Sequence, residues 1–159
     1  MKQHLLPLAT VVTPNIFEAT QLAGMDSITS LADAKAAAKI IHSLEAKNVV
    51  IKCRDGFGQP LDTPVSENIS GAIESIEQSM DLIFDGEDFV EVWGPHINTI
   101  WNHGAGCTFS ACVTAELAKG NTLINAVKTA KMLMTEALRE SFPLNAYAGP
   151  VNHKAFALK

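Results

Sequence analysis

Three observations predict an α/β fold, a mostly parallel sheet flanked by helices with one β-hairpin. The β-branched run Val49-Val50-Ile51 reads as a strand covered on both faces, because a strand with one wet face would alternate with polar residues. Long segments with apolar residues at helical spacing lie on either side of it. Asp85-Gly86 separates two apolar runs, which is a hairpin signal. At 159 residues, 47% of them hydrophobic, the chain is expected to form one domain over 1–159 with a sizeable core.

Taken in order, 9–13 (Ala-Thr-Val-Val-Thr) reads as a buried strand stopped by Pro14. Asn15 then opens a short helix to about Leu22, with Gly24 as its stop. Glu18 falls at the third helical position, so Asn15 and Glu18 form a capping pair. A second reading stays open: a polar pair at the C-terminal end of a strand, ordering water around a metal. Ser30 caps an alanine-rich helix in which Ala34, Ala37, Ala38, Ile41 and Leu44 share one face. Strand, helices and strand make a right-handed crossover, hence a parallel pair between 9–13 and 49–51.

Lys52 ends the second strand, at the same sheet edge as Asn15. Its ammonium either reaches a phosphate there or merely snorkels from the strand end. Glycines and prolines mark a loop after Arg54, and Ile69, Ala72, Ile73 and Ile76 predict a short helix near 67–78, as a flap or an insertion. The hairpin of 82–84 and 89–93 follows, placed to line a nucleotide base, with Trp93 and Trp101 as packing residues. An extended stretch, 97–101, leads to the next motif.

That motif is His103-Gly104-Ala105-Gly106-Cys107-Thr108-Phe109-Ser110. Past Cys107, apolar Phe109, Cys112, Val113 and Leu117 recur at helical spacing, and Gly120 ends the helix. The glycines therefore sit on a helix N-terminus, where free amides and the dipole favour an anion. The same field favours thiolate at Cys107, a possible base toward a substrate hydroxyl. An ordinary glycine turn with a small buried cysteine would leave the same signature. His103 abuts the loop and is expected to orient it. A last long helix starts at Thr122, with Val127, Ala130, Met134 and Ala137 inward and Lys128, Lys131, Arg139 and Glu140 mostly solvated. Met132 and Met134 read as packing residues, and the tail as a turn and a short terminal helix.

Composition narrows the function classes. A net charge of −5 without a Lys/Arg run disfavours nucleic acid as a partner. No apolar run is long enough to span a bilayer, and there is no signal-peptide core, so cytoplasm is expected. Three cysteines without a CxxC pair argue against a disulfide scaffold and a zinc ribbon.

The residues 5–15 (LLPLATVVTPN) with Glu18, then Val50-Ile51-Lys52, Asp85-Gly86, the 103–110 motif and Gly149-Pro150-Val151-Asn152-His153 resemble the hydroxymethylpyrimidine (phosphate) kinase and pyridoxine/pyridoxal kinase group of the ribokinase superfamily. The match covers nearly the whole chain, in the family's order. It implies a ribokinase-like (Rossmann-like) fold and transfer of the γ-phosphate of ATP, with Mg²⁺, to a hydroxymethyl group on a pyrimidine or pyridine. In that scheme Asn15 and Glu18 match the motif that organises the metal and its waters, Glu18 through water. Lys52 matches the lysine that contacts ATP phosphate. Gly104, Ala105 and Gly106 match the anion hole, and Cys107 stands at the position of the catalytic base. In the pyridoxal-phosphorylating members that cysteine also adds to the substrate aldehyde.

Two features depart from the family pattern. Cys53-Arg54-Asp55-Gly56 stands where the family tends to have glycines. The match also starts with the family's second half, so the chain is expected to be truncated at its N-terminus, a C-terminal ATP-binding part. Sheet edges would then be exposed, which predicts a homo-oligomer. An inactive nucleotide-binding or structural module is the alternative to an active kinase.

Overall fold

The computed structural model describes residues 3–53, 57 and 78–156. After a single 3₁₀ turn at Leu6–Leu8 come helices α1 (Ile16–Ala23) and α2 (Leu31–Ser43), then strands β1 (Val49–Cys53), β2 (Gln78–Phe84) and β3 (Phe89–Pro95). Helices α3 (Ala105–Ala118) and α4 (Leu123–Arg139) follow, and a 3₁₀ turn at His153–Phe156 ends the described chain. The α/β class and the hairpin are as expected; the predicted helix over 67–78 lies outside the described residues except for Gln78, which opens β2.

The strand directions differ from a mostly parallel sheet. The three named strands pair in the order β1-β2-β3, both pairs antiparallel. The expected parallel contact with β1 is present, but only as isolated bridges at Val12 and Asn15. The amides of Val12, Val50 and Lys52 donate to Asn48, Val12 and Pro14, respectively. The bond that would continue this ladder has to come from the amide of residue 14, and proline has none.

Alternation along β1 and β2 divides the interior. Val49, Ile51, Met80, Leu82 and Phe84 face one core with Ala19, Ala37 and Ile41 of α1 and α2. Val50 and Ile83 face the other, with Phe109, Val113, Val127 and Ala130 of α3 and α4. The sheet is thus sandwiched between helical layers, and residues of one parity point to each. Lys52 and Asp81 have the parity of Val50 and Ile83, so both point to the α3/α4 side.

Local signals fixed most element ends. Gly24 closes α1 with φ +68°, Ser30 accepts from the Asp33 amide at 3.1 Å, and Thr122 accepts from that of Asn125 at 3.3 Å. The hairpin turn is wider than a two-residue loop: it spans 85–88, and the Asp85 carboxylate accepts from the amides of Glu87 and Asp88. Those amide bonds, the Asp88 one foremost, hold the Asp85 carboxyl below its ordinary 3.8. Residues 97–101 are irregular rather than extended. Two residues of α4 depart from expectation: Lys131 is buried, and Met132 is exposed while Met134 packs inside. Among the described residues no helix is long and apolar enough to cross a membrane.

The loop after α4 is fastened under α3. The amide of His103 donates to Gly149 and that of Val151 donates to His103. Gly149 is wedged there: a Cβ would overlap the Phe142 carbonyl and lie 2.9 Å from the Trp101 ring. Gly149→Ala is therefore expected to cost about 1–3 kcal/mol by overpacking. Thermal unfolding checks this, and an unchanged midpoint would refute it.

Candidate functional site

The sequence after the hairpin leaves the helix α3 without a conventional cap. Its N-cap is Gly104 at φ +83°, no side chain caps its amides, and the first turn carries no acidic residue. Ala105 donates to Asn102 and Thr108 to Gly104, whereas the amides of Gly106 and Cys107 have no acceptor among the described residues. Two free donors at the positive end of a helix of 14 residues form an anion-binding corner.

Lys52 turns its ammonium toward that corner. A Cβ on Gly106 would stand 3.2 Å from Lys52 Nζ, so glycine here lets the cation approach the backbone closely. The Thr13 and Ser110 hydroxyls, 2.6 Å apart, tie the segment leading to Asn15 onto α3, and Ser110 donates to the Gly106 carbonyl. Asn15, Lys52, Ala105 and Gly106 line one cavity of about 450 Å³. Its lining combines apolar side chains, Ile97, Phe109, Met134 and Leu138 among them, with the polar Asn15, Lys52, Asp81 and Lys131.

The other predicted site residues stand apart from the described lining. Glu18 and Asn15 complete a capping box, with each side chain accepting from the other's amide at 2.8–2.9 Å. Glu18 is exposed and keeps a second carboxylate oxygen for water. Cys107 is exposed at the helix start. The His103 side chain is exposed while its backbone bridges to Pro150, and Gly104 has open space around it. His153 Nε2 lies 2.8 Å from the Thr108 hydroxyl, which itself donates to the Gly104 carbonyl, so the tail braces the loop.

Asp81 and Lys131 were missed by sequence reasoning. Lys131 Nζ donates to Asp81 Oδ2 at 2.8 Å and to the Ser79 hydroxyl at 3.1 Å, with both charged side chains about nine-tenths buried. Burial pushes the Asp81 carboxyl up, while the ammonium groups of Lys131 and Lys52 pull it down. The usable signal was the parity of Asp81 in an apolar strand, which places a carboxylate inside and demands a cation.

Residues 1–152 match the family model described as phosphomethylpyrimidine kinase. The chain belongs to the phosphomethylpyrimidine kinase family. It is 44% identical over 158 residues to a pyridoxine kinase of Bacillus subtilis, covering 99% of this chain and 52% of that protein. To the hydroxymethylpyrimidine/phosphomethylpyrimidine kinase of Haemophilus influenzae it is 41% identical, covering 99% of this chain and 53% of that one. The pyridoxal kinase from Staphylococcus aureus in complex with AMP-PCP and pyridoxal superposes with a TM-score of 0.83 at 38% identity, over 99% of this chain and 52% of that one. The chain thus spans about half the length of the curated relatives it matches. The likeness shows the ribokinase-like fold, and the antiparallel directions above are those of the three described strands.

The buried pair gives a pH-dependent prediction for stability. A carboxyl whose folded value is raised is buried at least cost when protonated; its contribution is full below its ordinary 3.8 and is lost as pH rises through the folded value. Lys131→Met removes the attraction opposing that loss. It should destabilise the fold by about 1–3 kcal/mol at neutral pH, less than a wholly unpaired buried charge because Lys52 remains opposite Asp81, and by less still as acidification neutralises Asp81. Urea unfolding at both pH values checks this; an equal cost at both would contradict it.

Proposed function

We propose that residues 1–159 form a single nucleotide-binding unit of an ATP-dependent kinase acting on the hydroxymethyl group of a pyridine or pyrimidine. The observation that carries this reading is the placement of the Lys52 ammonium against Gly106, beside the open amides of α3 and in the lining of a cavity with both apolar and polar walls. The names of the relatives support it, since they are kinases of pyridoxine, pyridoxal or hydroxymethylpyrimidine.

In this reading the apolar part of the cavity takes the adenine and the polar part takes the phosphates. Lys52 holds the phosphate charge, and the Gly106 and Cys107 amides, presented by the turn at Gly104 and Ala105, donate to the oxygens of the transferred group. Such donors are already oriented before charge develops, which is where phosphoryl transfer gains most. Cys107, exposed at the helix start, takes the proton from the substrate hydroxyl, and His103, through its backbone pairing with the tail, keeps the loop in place. Among the described residues no three His, Cys, Asp or Glu side chains cluster to hold a metal directly. Mg²⁺ keeps several waters and is held mainly by phosphates plus one or two carboxylates. Asn15 and the free oxygen of Glu18 would hold its waters, and the ion supplies charge neutralisation on the phosphates.

Exposed Leu5, Leu8 and Phe17 flank the segment beside β1 and favour self-association, which light scattering tests. ATP dependence together with three free cysteines favours the cytoplasm as the site of action. Calorimetric titration with Mg-ATP, run beside an ADP-release assay with pyridoxal and with hydroxymethylpyrimidine, tests the reading. Lys52→Met should weaken ATP binding by about tenfold to a hundredfold. Cys107→Ala should abolish turnover and leave binding intact. Binding without turnover by the unaltered chain would favour a nucleotide-binding module instead, and no binding would sink the reading.

A further inference from the structure

We propose that Lys131 is a positioning residue of the nucleotide site: by taking up the Asp81 carboxylate, it leaves the Lys52 ammonium available to phosphate. The inference rests on the nucleotide reading above and deepens it. In the β1/β2 register Lys52 stands directly opposite Asp81, on the same face of the sheet. Opposite charges placed that way across an antiparallel pair ordinarily join each other. Here they do not. Asp81 is joined at 2.8 Å by Lys131, which arrives from α4, while Lys52 lies against Gly106. Among the described residues Lys52 forms no ion pair and no side-chain hydrogen bond.

The path of Lys131 is built for this. Its stem crosses β3 at Gly94, where a Cβ would lie 2.8 Å from Lys131 Cε and 3.2 Å from Cδ. The Ser79 hydroxyl supplies a further partner for the ammonium. A buried ion pair is a weak way to gain stability compared with apolar side chains of the same volume, so its placement in a cavity wall calls for another role. Charge arithmetic supplies it. Two lysines and one carboxylate leave one net positive charge, carried by Lys52 and facing the open amides of α3. Without Lys131, Asp81 and Lys52 cancel, and the corner loses its cation.

The groups facing Asp81 define the pH test. They are Lys52 on β1, Ser79 on β2 and Lys131 on α4, while its neighbour on β3 is Val92, which does not titrate. His96 is the remaining titratable residue in the described cavity lining. In Lys131→Met, acidification protonates Asp81 and releases Lys52, so nucleotide affinity should climb as pH falls. The wild-type chain lacks that component, so the test is the difference between the pH profiles of the two chains, in which the protonation of ATP itself cancels.

The experiment is calorimetric titration of the full chain with Mg-ATP. Lys131→Met should bind about tenfold more weakly at neutral pH, recovering on acidification. Asp81→Asn combined with Lys131→Met should bind like wild type, because the charge that captures Lys52 is gone. Where circular dichroism shows Lys131→Met unfolded, Gly94→Ala replaces it. That change displaces the lysine stem without altering any charge, and it should weaken binding in the same way and be rescued by Asp81→Asn. Equal affinity of wild type and the folded single variant would overturn the inference. So would a double variant that stays as weak as the single one, since Lys131 would then contact the nucleotide itself. No binding by the wild-type chain overturns the nucleotide reading, and this inference falls with it.

Discussion

The register that sets Lys52 opposite Asp81 across β1 and β2 determines what the cavity contains, because side chains alternate and a slip of one residue would send one of the two charges into the α1/α2 core. That slip is strongly disfavoured: if β1 moved, Val49 and Ile51 would leave one core and Val50 the other, and if β2 moved, Met80, Leu82 and Phe84 would leave one and Ile83 the other. The register is therefore set by apolar burial. The polar chemistry is carried along with it, two charges delivered to one face of a sheet whose other face is dry.

Once the register is fixed, neighbouring elements are fastened to it by short-range devices. Pro14 stops the parallel ladder and leaves its carbonyl to accept from Lys52, so Asn15 emerges beside the lysine and α1 starts there under its own capping box. The Thr13 and Ser110 hydroxyls join that segment to α3, and the tail grips His103 through Gly149 and Val151. The glycine corner is thus held from both sides, which keeps two backbone donors oriented without any side-chain cap. A corner held this way loses little reorganisation energy when charge arrives.

The α/β class, the hairpin, three helix caps and the juxtaposition of Asn15, Lys52 and the 104–107 loop were legible because each is written locally or in strand parity. The antiparallel direction of β2 was not. A long connection after β1 can return in either direction, and periodicity within a strand carries no sign. Lys131 was misjudged for a related reason: along α4 it resembles Lys128, and only the Asp81 carboxylate, 50 positions earlier, distinguishes a buried lysine from a solvated one. Glu18 shows the limit from the other side. Its capping geometry is complete, so the same spacing that marks a family motif also satisfies an ordinary helix start.

The proposed nucleotide site centres on the open amides of Gly106 and Cys107 at the start of α3, beside the cavity. The measurement that tests this most directly is an NMR titration of the ¹⁵N-labelled chain with Mg-ATP, following backbone amides. The account predicts that the largest shifts fall on Gly106 and Cys107, with smaller ones at Asn15 and Lys52. Shifts concentrated elsewhere, with the start of α3 unmoved, would contradict it.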